Sequence, residues 1–221
     1  MRKIILIFGI VFTSILVSGQ ENKISTGLAS SVDYYNMFDF KSIVGFNHKY
    51  ETNSAYSIGL RFQYNINEKL SLRSGLLYSE KGYKKNYNYI FMDAGDPLIP
   101  KESNLKISYL NVPLIIGYYL INKGNIKFSS STGIISEFLI SNTEISVFED
   151  NSERNSEFLN QNLNGILLSA QVNVGLEYHM GKNLFFTIEP YVRYGINKID
   201  DVIMNSNPIS YGGILSVNYK L

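Results

Sequence analysis

The chain has 221 residues, 45% of them hydrophobic and 14% aromatic, with a net charge of +1. That composition excludes a disordered chain, and near-neutrality argues against a nucleic-acid partner. The absence of cysteine excludes a disulfide framework, a thiolate metal site and a lipid-modified N-terminal cysteine, so packing and hydrogen bonds must hold the protein together.

Arg2 and Lys3 precede an apolar run over residues 4–17, which ends in the small residues Ser18 and Gly19. This pattern predicts a secretory signal peptide over 1–19 and a mature domain over 20–221. The run is shorter than the ~20 apolar residues of a transmembrane helix. No later stretch approaches that length.

Turn residues divide the remainder into eight expected strands, at 23–33, 54–66, 70–84, 106–121, 126–140, 165–180, 184–197 and 209–220. The second shows the pattern most plainly. Tyr56, Ile58, Leu60, Phe62, Tyr64 and Ile66 fall on one face, and Ala55, Ser57, Gly59, Arg61, Gln63 and Asn65 on the other. Later strands repeat it with Leu110, Val112, Leu114 and Ile116, and with Leu168, Val172, Val174 and Leu176. The strand at 126–140 has a weaker outward row, Ile126, Phe128, Ser130, Thr132 and Ile134, and Pro113 lacks the N–H that a central strand needs.

Tight turns near 65–69, 122–125 and 181–183 alternate with long polar segments near 34–53, 87–105, 141–164 and 198–208. Both termini and all three tight turns then share one end. An eight-stranded barrel interior is too narrow for the bulky faces, so those must point outward. The fold class expected is all-β, an eight-stranded antiparallel up-and-down transmembrane β-barrel. A soluble, lipocalin-like barrel is the alternative.

Two aromatic girdles are expected at the membrane interfaces. Tyr64, Tyr118, Tyr178, Phe186 and Tyr219 form the first, near the turns; Tyr78, Tyr83, Tyr109, Tyr194 and Tyr211 form the second, near the loops. The inner face is expected to carry Arg61, Arg73, Glu177, Glu189 and Arg193. Charges of both signs in a narrow lumen must pair or stay hydrated, so these five either plug the barrel or line a small pore.

At Tyr109-Leu110-Asn111-Val112-Pro113-Leu114 the sequence resembles the PorT-like outer-membrane β-barrel family of Bacteroidetes. The likeness extends to Gly75-Leu76-Leu77-Tyr78, to Gly175-Leu176-Glu177-Tyr178 and to the closing Leu215-Ser216-Val217-Asn218-Tyr219. It departs at Gly133-Ile134-Ile135, where relatives often show Gly-Pro-Tyr. The resemblance implies an outer-membrane location in a Gram-negative bacterium. It also suggests envelope or secretion-system proteins as partners, beside outer-membrane lipid and lipopolysaccharide.

Chemistry is sparse. The two histidines, His48 and His179, are expected at opposite membrane faces, His179 as an interfacial polar residue or, in an embedded lipid-modifying enzyme, a base. Asp93 with Asp96, or Glu149-Asp150 with Glu153, offer acids without the full spacing of a calcium loop. No phosphate loop, nucleophile elbow or metal cluster appears, so no enzyme activity, cofactor or metal is expected. Three roles remain open: an interaction protein acting through loops at 87–105 and 141–164, a narrow channel, and the lipid-modifying enzyme. Tyr87, Tyr89, Ile90, Phe91, Met92, Phe148 and Phe158 are the expected apolar contact points of the first.

Overall fold

A computed structural model describes residues 23–38, 50–51, 53–86, 100–148, 150–156, 164–198 and 207–221. The signal-peptide segment, His48, Asp93, Asp96, Glu149, Phe158 and most of loop 87–105 lie outside these residues. The strands are β1 (Ile24–Phe38), β2 (Tyr50–Glu51), β3 (Asn53–Asn65), β4 (Leu70–Asn86) and β5 (Pro100–Lys123). They continue with β6 (Ile126–Phe148), β7 (Glu153–Ser156), β8 (Ile166–Met180), β9 (Leu184–Gly195) and β10 (Asn207–Lys220).

Eight of them close into a barrel in the order β1, β3, β4, β5, β6, β8, β9, β10 and back to β1, every neighbour antiparallel. Closure leaves no unpaired edge within the wall, the condition for a sheet to sit in hydrocarbon. The tight turns set the register. Asn67 Oδ1 accepts from the amides of Lys69 and Leu70, both at 2.8 Å, and fixes the turn between β3 and β4. The other two turns pass through Gly124 (φ 58°) and Gly181 (φ 78°), left-handed positions that suit glycine.

Side chains alternate across the wall as the sequence pattern requires. Leu114 is 58% exposed and Ile188 53%, whereas Ser129, Gln171 and Asn173 are buried inside. This distribution is the reverse of a soluble barrel's, and it favours a hydrocarbon surround, where the outer leucines and isoleucines lose nothing by exposure. In β6 the inner row is Ser129, Ser131, Gly133, Ile135 and Glu137, so the weak outward row was in the expected register.

Both mid-strand prolines are accommodated by one-sided breaks in the ladder. Between β4 and β5 the pairs Ser74↔Leu114 and Leu77↔Asn111 flank a gap at Pro113, whose carbonyl accepts from Ser74 Oγ at 2.9 Å. Pro190 sits in a similar gap between Asn173↔Tyr191 and Leu176↔Ile188. Each proline stays in register with its other neighbour, Ile135 and Gly213 respectively. A bulge at Leu120 turns both it and Ile121 outward.

The wall is taller on one side than the sequence pattern predicts. β5 and β6 run for 24 and 23 residues, far beyond the ~9–11 that cross a membrane. The sequence pattern ends early there because polar alternation above the membrane resembles loop composition. The register runs Tyr50↔Lys85, Lys85↔Ser103, Ser103↔Ser146 and Ser146↔Arg154, which makes a five-stranded extension β2–β4–β5–β6–β7 above the barrel. The opposite rim stops lower, where Phe138 pairs with Ile166. Phe148, expected as a contact point, is only 8% exposed and packs under the Arg154 guanidinium, 5.4 Å from the ring centre.

The lumen as candidate functional site

Inward-facing residues of the eight strands converge on two layers of charge. Nearer the turns, Arg61 of β3 grips Glu189 of β9 with both terminal nitrogens, Nη1 to Oε2 at 2.7 Å and Nη2 to Oε1 at 2.9 Å. Arg73 of β4 reaches Glu189 Oε1 at 2.6 Å and Glu177 Oε1 of β8 at 3.2 Å. Tyr119 of β5 donates to the same Glu177 oxygen at 2.6 Å and accepts from Gln63 Nε2 at 2.9 Å. Five strands are therefore tied across the lumen by one network. A carboxylate shared between two guanidinium groups is held by charge-assisted bonds of the stronger kind.

The second layer lies nearer the loops. Lys81 of β4 pairs with Glu137 of β6, and Arg193 Nη1 of β9 meets the other oxygen of that carboxylate at 3.1 Å. Arg193 Nε donates to Gln171 Oε1 at 2.9 Å. Tyr191 donates to Asp33 Oδ1, which also accepts from Ser31 Oγ at 2.9 Å. Lys81 Nζ lies 4.5 Å and 4.8 Å from the ring centres of Tyr35 and Tyr109, a cation–π cage around an ammonium almost without solvent contact.

Arg61, Arg73, Lys81 and Arg193 thus face Asp33, Glu137, Glu177 and Glu189, and the buried charge balances. Balance is required, since an unpaired charge in a low-dielectric interior carries a desolvation cost of several kcal/mol. Between the layers lies a cavity of about 50 Å³, lined by Ala29, Leu77, Ile115 and Ile135 and capped by Arg61, Arg73, Glu189, Gln171 and Arg193. Each water needs ~10–15 Å³, so the cavity has room for a few waters and none for an organic ligand.

All five residues named from the sequence point into this lumen. The expected set omitted Glu137 and Asp33, whose inward parity in β6 and β1 was the available signal, and it left Lys81 out of the charged group. Two expectations are corrected. Tyr109 belongs to the lumen, 1% exposed, because outward positions in this part of β5 are even-numbered. His179 also faces inward rather than the interface. It stacks on Phe185 with centroids 4.9 Å apart, and its Nε2 lies 3.5 Å from Glu177 Oε2. Asp150 caps its own turn by accepting from the Ser152 amide at 2.8 Å, and no metal-binding group of acids occurs among the described residues. Tyr34 and Tyr56 join Tyr78, Tyr194 and Tyr211 on the outer face near the loops.

The structure of outer membrane protein OprG from Pseudomonas aeruginosa is similar at a TM-score of 0.52 and 11% identity, over 92% of this chain and 98% of that one. Neisserial surface protein A matches at a TM-score of 0.46 and 14% identity, over 90% and 97% of the two chains. Ail, the attachment invasion locus protein of Yersinia pestis, matches at 0.40 and 11%, over 91% and 100%. At these identities the OprG likeness speaks to fold alone, and the two lower scores add no weight. No curated protein matches the sequence. The family model for the outer membrane protein beta-barrel domain matches residues 18–201, most of the chain. With that match and a closed eight-stranded antiparallel barrel, the chain belongs to the outer membrane protein beta-barrel domain family.

Proposed function

We propose that the protein is a non-conducting outer-membrane scaffold whose work is done by the face it presents outside the cell. The observation that carries this reading is the doubly layered lumen. A hydrated ion would have to part Arg61 and Arg73 from Glu189, then Lys81 and Arg193 from Glu137. Breaking a buried pair costs ~3–5 kcal/mol, so two layers in series oppose passage. The five-stranded extension supplies what a scaffold needs, a rigid platform above the lipid headgroups.

In the PorT-like reading its partner is an envelope or secretion-system protein, with outer-membrane lipid and lipopolysaccharide as the surround. A lumen-facing His179 weakens the lipid-modifying reading, because a base inside the barrel does not meet an acyl chain outside it. The narrow-channel reading retains one point in its favour, the small cavity between the layers.

Planar-bilayer recording of the purified, folded protein tests the proposal. Wild type stays electrically silent, and Glu137→Gln combined with Glu189→Gln produces measurable openings. Stable single-channel conductance in the wild type would refute the scaffold reading.

A further inference from the structure

The end of the barrel that carries the tight turns is basic. Lys69, Lys123 and Lys182 lie in or beside the three turns, Lys23 precedes β1, and Lys127 and Lys220 lie in β6 and β10 at the mouth of the lumen. Glu68 is the one acidic side chain of the turns. None of the six lysines forms a salt bridge among the described residues. Short turns mark the periplasmic side of an outer-membrane barrel, so this surface faces the periplasm.

Two of the lysines differ from the rim. Lys127 Nζ lies 5.1 Å from the ring centre of Tyr119, and Lys220 Nζ lies 6.0 Å from that of Phe185. Both rings belong to the inner face, so these ammonium groups lie within the mouth, where acyl chains do not reach. His179 stacks on the same Phe185 and is itself buried, its Nε2 3.5 Å from Glu177 Oε2. Glu177, the one acidic side chain nearby among the described residues, receives Arg73 and Tyr119 on its Oε1. With the four lumen cations already matched by four acids, Lys127 and Lys220 leave the mouth net positive within a partly aromatic wall. Directly above it the Arg61–Glu189–Arg73 layer closes the lumen, so a ligand stops at the mouth.

We propose that this mouth docks an acidic polypeptide segment from the periplasm. One carboxylate enters between Lys127 and Lys220, and Lys69, Lys123 and Lys182 meet neighbouring acids along the rim. The inward position of Lys127 and Lys220 favours a peptide over the phosphates of the surrounding leaflet, because a lipid headgroup remains outside the wall. The proposal concerns the face opposite the loops and stands apart from the scaffold reading.

The test uses the whole barrel in nanodiscs of phosphatidylcholine, with a fluorescein-labelled oligoglutamate peptide followed by anisotropy. The peptide binds wild type, binding weakens with salt, and Lys127→Gln with Lys220→Gln lowers affinity roughly tenfold. Lys127→Arg with Lys220→Arg retains it. Resistance to unfolding in SDS before heating shows that each variant is a folded barrel. The proposal is overturned if wild type does not bind the peptide or if the glutamine pair binds as wild type does. It is equally overturned if phosphatidylglycerol nanodiscs abolish binding, because the lysines are then engaged by lipid.

Discussion

Glu189 and Arg61 illustrate how unequal the two partners of one ion pair can be. Glu189 serves two guanidinium groups, so Glu189→Ala leaves both Arg61 and Arg73 without their main acceptor. That substitution is expected to cost about 3–5 kcal/mol. Arg61→Gln leaves Glu189 paired with Arg73 and should cost less. Urea unfolding in lipid vesicles measures both, and equal losses would contradict the shared-carboxylate arrangement. Gly133 marks a different constraint. A Cβ there would lie 2.1 Å from the Leu114 carbonyl oxygen and 2.6 Å from the Ile115 Cα, both backbone atoms of the neighbouring strand. Gly133→Ala is therefore expected to destabilise the barrel by about 1–3 kcal/mol in the same assay, as overpacking does.

Strand identity and facing were legible because the side-chain period of two is local, and every strand repeats it. Leu114, placed on the lipid face from alternation alone, is exposed there, and Leu114→Arg is expected to cost about 2–4 kcal/mol in vesicle unfolding. A loss below that of Arg61→Gln would reverse the assignment of the two faces. Element ends were less legible. The upper halves of β5 and β6 owe their pairing to each other and to β4 and β7, a non-local cause that composition does not record. The lumen was partly legible for the same reason. Arg61, Arg73 and Arg193 stood out within clean alternation, whereas Glu137 sat in the strand whose outer row was weakest. Tyr109 was assigned by its nearness to the loops rather than by parity.

At the scale of the molecule, a net charge of +1 conceals a separation of charge along the barrel. The turn end holds six lysines, the lumen balances, and residues 141–164 carry Glu144, Glu149, Asp150, Glu153 and Glu157 against Arg154. Composition averages these regions, and only the topology sorts them. The same topology gives the barrel two chemically distinct ends, the tall five-stranded extension at the loop end and the basic mouth at the turn end. Replacing residues 145–156 by a short glycine linker should leave the barrel folded, with unchanged SDS resistance, because among the described residues this segment pairs only within itself, with Glu144 and with the upper end of β5, beyond the closed wall. Loss of that resistance would make the extension part of the folding core.

All of this rests on one inside-outside assignment, and a chain without cysteine allows it to be read directly. Single cysteines placed in turn at positions 110–118, labelled with an environment-sensitive fluorophore and reconstituted into vesicles containing brominated lipid, report contact with acyl chains. The expected result is strong quenching at 110, 114, 116 and 118 and weak quenching at 111, 115, 117. Quenching of the opposite phase, or without alternation, would contradict a barrel that turns its bulky face to lipid.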